Sequence, residues 1–289
     1  MKTQQERFAC GKHTSLSARL AFSVMLLFPV MAVAQTYTLT DPGSEATVTL
    51  NGSGAGMNYW TVDADPSVNQ LASQWFYYSF DGSGVQAINA LSTAIVETNS
   101  TANFLNLTYA NSQLSINIQY TLAGGGYGSG NADIYEAIAI DNLSGTSITN
   151  LQFYQFSNFN LLQNNANSVS VFGSPGNYYF AQQTAGSTAL GEGIINPDAN
   201  YAVAGTAAAV LSDILSGNNL SGPMSAGPGD VAWAFQWDDA TLNPEADGDE
   251  FDIEKDKSLS ISNVPEPSTI ALIALGLGAV GLVCRRQSS

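Results

Sequence analysis

From residue 35 to 263 the chain alternates polar and apolar positions in short runs broken by turn residues, which predicts many short strands. The cleanest run is Leu114 to Leu122. There Leu114, Ile116, Ile118 and Tyr120 fall on one face, and Ser115, Asn117 and Gln119 on the other. Tyr37 to Thr40, Thr47 to Leu50, Gln74 to Phe80, Ala94 to Thr98, Phe104 to Tyr109, Ile134 to Ile140, Ile148 to Ser157, Ser168 to Phe172 and Tyr178 to Gln182 supply further strands. Helical spacing occurs once, from about Thr206 to Leu215, where Val210, Leu211, Ile214 and Leu215 recur before Gly217 stops the run. Residues 229–238 read as a central strand with Trp233, Phe235 and Trp237 on one face. Phe251-Asp252-Ile253, Lys255-Asp256-Lys257 and Leu259-Ser260-Ile261 follow an acidic turn. The predicted fold is all-β, an antiparallel β-sandwich of jelly-roll or Ig-like type with one short helix. Gly124 to Gly130 reads as a flexible loop, lacking the Lys and the strand–helix setting of a phosphate cradle.

Both ends depart from this pattern. Residues 1–34 begin with a polar, basic lead and continue into an apolar run from Leu20 to Val33. The run ends Ala32-Val33-Ala34 before Gln35, and small residues in this spacing suit a signal peptidase, with cleavage expected between Ala34 and Gln35. At the other end, Val264-Pro265-Glu266-Pro267-Ser268-Thr269 precedes an apolar run from Ile270 to Cys284, closed by Arg285-Arg286. Two prolines around a glutamate can neither continue a strand nor sit inside a helix, so this piece is extended and open to proteases. The apolar run is shorter than the ~20 residues of a stable span, yet shallow insertion with snorkelling arginines is feasible. The domain plan is therefore 1–34 signal peptide, 35–263 ectodomain and 264–289 sorting tail with a transmembrane helix.

The tail resembles the PEP-CTERM sorting signal of Gram-negative and related bacteria, in which motif, apolar helix and basic terminus occur in this order. The resemblance implies recognition by an exosortase, a membrane cysteine protease-transpeptidase, with Pro265, Glu266 and Pro267 as the recognition motif and Arg285 and Arg286 as the basic tail. It also implies export, tethering at the inner membrane before processing, then the cell surface or an exopolysaccharide matrix. The same kind of tail accompanies ice-binding descriptions. Residues 229–261, a G-D-V-x-x-A-F-Q-W-D strand, a turn and an F-x-I-x-K-D-K strand, look like the closing hairpin of many PEP-CTERM precursors.

Charge and composition narrow the function. The formal net charge is −16, and Lys255 and Lys257 are the only basic residues between the two ends. Such a surface repels phosphate backbones, which argues against nucleic-acid binding. The two cysteines, Cys10 and Cys284, lie in the end segments, and the single histidine, His13, leaves with the signal peptide. The mature segment thus lacks the parts for a Ser-His-Asp or Cys-His nucleophile and for cysteine- or histidine-ligated metals.

Candidate chemistry then falls on carboxylates and aromatics. Asp63 with Asp65, and Asp238 with Asp239, are adjacent acid pairs; Pro66 marks the first as a turn, and strand neighbours such as the second point to opposite faces. The acidic turn offers oxygen ligands for Ca²⁺ in Asp247, Asp249, Glu250 and Asp252, although Gly248 is misplaced for an EF-hand. The alternative is a solvated turn that keeps an edge charged. Trp60, Trp75, Tyr77, Tyr127, Tyr178 and Tyr179 would make a glycan platform if exposed and core if buried. The expected function is non-enzymatic: a structural or interaction protein of the envelope or matrix, without cofactor. A carbohydrate- or ice-binding module and a carboxylate glycoside hydrolase are the alternatives.

Overall fold

The computed structural model describes residues 35–62, 67–98, 101–164 and 166–261, leaving aside the side chain of Asp247. Asp63 and Asp65 lie outside these residues. In chain order the strands are β1 (Thr36–Asp41), β2 (Ser44–Thr49), β3 (Gly56–Val62), β4 (Leu71–Ser79), β5 (Gln86–Ala87) and β6 (Ile95–Glu97). They continue with β7 (Phe104–Ala110), β8 (Leu114–Ala123), β9 (Asn131–Asn142), β10 (Ile148–Phe159), β11 (Asn167–Ser174) and β12 (Asn177–Ala185). After β13 (Thr188–Asn196) and β14 (Tyr201–Thr206) comes one helix, α1 (Ala207–Leu215), then β15 (Ser225–Gly229), β16 (Val231–Leu242) and β17 (Glu250–Ile261).

Two antiparallel sheets form the sandwich. One runs β1-β2-β3-β4-β10-β16-β14 with β5 against β4, the other β15-β11-β12-β13-β17-β9-β8-β7-β6. β8 shows why the sequence folds this way: Leu114, Ile116, Ile118 and Tyr120 are fully buried, while on the other face Asn117 is half-buried and Gln119 exposed, with only Ser115 at the strand's start buried as well. Each sheet hides one such face against the other, at roughly 25 cal/mol per Å² of apolar area withdrawn from water.

β16 is buried on both faces. Trp233, Phe235 and Trp237 enter the core between the sheets. On the opposite side Ala232 and Ala234 pack beneath Val210 and Ile214 of α1. Thr206 caps α1, its Oγ1 accepting from Ala209 N.

Two expectations are corrected. The glycine-rich segment 124–130 is a clasp: Gly124 N donates to Asp41 Oδ2 at 2.8 Å and Gly126 N to Pro42 O at 3.0 Å. A Cβ on Gly124 would sit 2.3 Å from Pro42 O, so only glycine permits the approach. The last two long strands are not a hairpin. β16 pairs with β10 and β14, β17 with β13 and β9, and the acidic turn carries the chain from one sheet to the other. The aromatic face of β16 and the apolar face of β17 meet in the same core from opposite sheets.

Candidate functional site

The inward face of β17 reads Ile253, Lys255, Lys257, Leu259 and Ile261, all buried. Period-2 alternation thus places two lysines in the middle of an apolar stripe. Their neighbours answer in register. Glu136 stands between Ile134 and Ile138 on β9, directly opposite Lys255. Glu192 stands between Leu190 and Ile194 on β13, directly opposite Lys257. All four side chains have no exposure to solvent.

Each lysine contacts both glutamates. Lys255 Nζ meets Glu136 Oε2 and lies 3.4 Å from Glu192 Oε1. Lys257 Nζ lies 2.5 Å from Glu136 Oε1 and 3.3 Å from Glu192 Oε1. The other sheet supplies the remaining donors. Gln74 Nε2 donates to Glu136 Oε1 at 2.9 Å and Oε2 at 3.2 Å. Gln155 Nε2 donates to Glu192 Oε1 at 2.5 Å, Trp233 Nε1 to Oε2 at 2.8 Å, and Ser157 Oγ to Oε2 at 3.4 Å. The Phe76 ring lies 5.0 Å from Lys255 Nζ, in cation–π range.

Two positive and two negative groups balance, which is the condition for placing ions where each would otherwise cost several kcal/mol in desolvation. Burial pushes the Lys255 ammonium well below the ordinary lysine range, and the Lys257 charge beside it adds to the effect. Burial lowers Lys257 too, against the opposing pull of Glu192.

This cluster was missed in the sequence, although its signal is there. A charged residue at the buried phase of an alternating strand stands out in Ile253-x-Lys255-x-Lys257-x-Leu259 and in Ile134-x-Glu136-x-Ile138, whereas Gly191 and Gly193 obscure the same spacing around Glu192.

The acidic turn has a different character. Asp249 Oδ2 accepts from Asn243 N at 2.8 Å and Asn243 Nδ2 at 3.1 Å, closing the corner. Glu250 and Asp252 are exposed. The Glu250 carboxyl is raised above the ordinary range, chiefly by the Asp252 charge, with burial, Asp141 and Glu245 adding. Asp141 is raised by burial first, then by Glu245 and Asp252. Among the described residues, no three or more His, Cys, Asp or Glu side chains form a group suited to a metal ion.

Other candidates disperse. Asp238 accepts from Gln236 Nε2 at 2.7 Å, whereas Asp239 accepts from Thr241 N at 3.0 Å. Trp60, Trp75 and Tyr178 are buried in the core and Tyr77 is half-buried; of the six aromatics only Tyr127 and Tyr179 are exposed. Gln35 precedes β1, its carbonyl accepting from Leu50 N at 2.8 Å. Ala34, Pro265, Glu266, Pro267, Arg285 and Arg286 lie outside the described residues, as does the expected C-terminal helix. Among the described residues no helix is long and apolar enough to cross a membrane.

The fold defines an antiparallel two-sheet sandwich, and a crystal structure of bacterial glucoamylase complexed with acarbose shares it. The likeness has a TM-score of 0.53 at 12% identity and covers 86% of this chain but only 36% of that one, so it concerns the fold alone. No curated protein sequence matches this chain. Residues 263–287 match the family described as the PEP-CTERM protein-sorting motif. The motif implies export, a membrane-anchored sorting signal and processing by an exosortase.

Proposed function

We propose that the sandwich is a non-enzymatic structural or interaction domain, delivered by its tail to the cell surface or to an exopolysaccharide matrix. The observation that carries this reading is the position of the sorting motif: β17 ends at Ile261 and the motif begins at residue 263, so the tag continues directly from a strand paired on both sides. The interior supports a scaffold role. The carboxylates gathered closest to other charged groups, Glu136 and Glu192, are sealed from solvent, where no glycan reaches them. The aromatics that would stack on sugars are mostly inside.

The test is fractionation of cells with and without an active exosortase, using an antibody to the sandwich. Processing should move the protein from the membrane to the surface or medium, with residues after the motif absent by mass spectrometry. Retention of Ser289 on the released protein would sink the proposal. A panel of polysaccharides, with acarbose included because of the structural neighbour, separates the binding reading. Saturable binding abolished by Tyr127→Ala or Tyr179→Ala would replace the scaffold role with glycan recognition.

A further inference from the structure

The charged cluster has the parts of a condensation site as well as those of a buried ion pair. Lys255 and Glu136 are direct partners across two paired strands, and Lys255 Nζ lies against Glu136 Oε2 in the closest contact of the cluster. The other oxygen, Oε1, is held from two sides, by Lys257 Nζ at 2.5 Å and Gln74 Nε2 at 2.9 Å. These donors are placed where an oxyanion on that oxygen would form. Glu192 Oε1 is 3.4 Å from the attacking nitrogen and is itself fixed by Gln155, with Trp233 holding Oε2. The surroundings are aromatic and apolar, with Phe76 near Lys255 Nζ and Phe153 stacked on Phe76 at 5.6 Å.

We propose that Lys255 and Glu136 condense to an intramolecular amide that bonds β17 covalently to β9. The step balances without any co-reactant. In the dry core the ion pair exchanges a proton to become a neutral amine and a neutral carboxylic acid. The Lys255 nitrogen lone pair attacks Cδ of Glu136, and the C=O electron pair moves onto Oε1, where Lys257 and Gln74 stabilise it. Glu192 takes a proton from the nitrogen and returns it to Oε2. The C–Oε2 bond breaks, water leaves, and the Oε1 electrons restore the carbonyl. Glu192 and Lys257 finish as they began. One positive and one negative charge disappear together, so the remaining Lys257–Glu192 pair is still balanced.

The location gives the bond a use. β17 is the strand that runs into the sorting motif at 263–287, so any pull on a tail-anchored protein reaches the sandwich through β17. An amide to β9 would carry that load through a covalent bond where hydrogen bonds alone would shear.

The test is peptide mapping of the full chain, expressed with its own ends and purified folded. The protein is denatured and digested with chymotrypsin, since basic residues are scarce. Peptides carrying residues 136 and 255 should be recovered as one branched species, lighter than their sum by one water, with fragment ions joining the two side chains. Lys255→Met should return the linear peptides. Glu192→Gln should greatly reduce the branched species in protein whose near-ultraviolet circular dichroism is native. Linear, unmodified peptides from folded wild-type protein would overturn the proposal. A bond found at Lys257 or at Glu192 would overturn the assigned pairing. Because the readout lies inside the sandwich, it is independent of whether the tail is sorted.

Discussion

The two halves of β17 carry charge to opposite fates. At its start Glu250, Asp252 and Glu254 project outward into an acidic corner where the Asp252 charge raises the Glu250 carboxyl. Three residues after Asp252 the parity is inward, and Lys255 and Lys257 sit without solvent between two glutamates. Both regions are rich in charge and close in sequence, yet one is a mild liability tolerated by water and the other a pairing that cannot be broken cheaply. A strand's two faces, not its local composition, decide which rule applies.

The largest effect should come from breaking the inner pairing. Glu192→Leu leaves a lysine uncompensated in the core and is expected to cost ~3–5 kcal/mol in denaturant unfolding. Adding Lys257→Met restores the balance and should recover most of that loss; a double variant no better than the single would show that charge balance is not what holds the cluster. Trp233→Phe keeps the ring in the core but removes the Nε1 donor to Glu192, and a loss of ~1.5–3 kcal/mol is expected from a hydrogen bond to a charged group.

Titration separates the two regions by sign. Asp141, Glu250, Asp238 and Asp256 are all raised in the folded chain, three of them chiefly by burial and Glu250 chiefly by the Asp252 charge. A raised folded value means the folded chain keeps protons that the unfolded chain has released. Stability should therefore rise as pH falls through the window above the unfolded carboxylate value of about 4, and level off below it. Lysines lowered by burial behave oppositely, gaining stability as pH rises from their folded value toward about 10.4. Melting curves from acid to alkaline pH read both. An amide at Lys255 would leave only Lys257 to contribute to the alkaline rise.

At the outer corner the expected effects are small and stabilising. Glu250→Gln or Asp252→Asn relieves repulsion on the surface and should change stability by less than ~0.5 kcal/mol, upward. Calcium should raise the melting temperature no more than sodium chloride of equal ionic strength. A larger, saturable, chelator-reversed shift would make Asp249, Glu250 and Asp252 a site, and the contrast with the core would narrow.

Much of the sandwich is legible in the chain. β8, with its inward leucine and isoleucines, is unmistakable, and α1 follows from its spacing and the Gly217 stop. β13 is not, because Gly191 and Gly193 suppress strand propensity. Their value appears only in three dimensions, where a Cβ on Gly191 would stand 3.0 Å from the Phe180 ring. The acidic turn misleads in another way. A Gly-containing turn between two alternating runs signals a hairpin, but whether the runs pair or face each other depends on what else each must cover. β16 takes β10 and β14 at its edges and β17 takes β9 and β13, so the two runs end in opposite sheets.

The sequence alone determines the sorting motif at residues 263–287, the absence of Cys and His from residues 35–263, and the parity that turns Glu136, Lys255 and Lys257 toward the core. Each of these is local: a motif, a composition or a period of two. Only the tertiary structure decides that the four charged groups meet. Glu136 and Lys255 are separated by more than a hundred residues, and no local rule selects which strands become neighbours. That choice is made by the whole pattern of apolar faces closing at once, which draws β9, β17 and β13 side by side and lays Gln74, Gln155 and Trp233 over them.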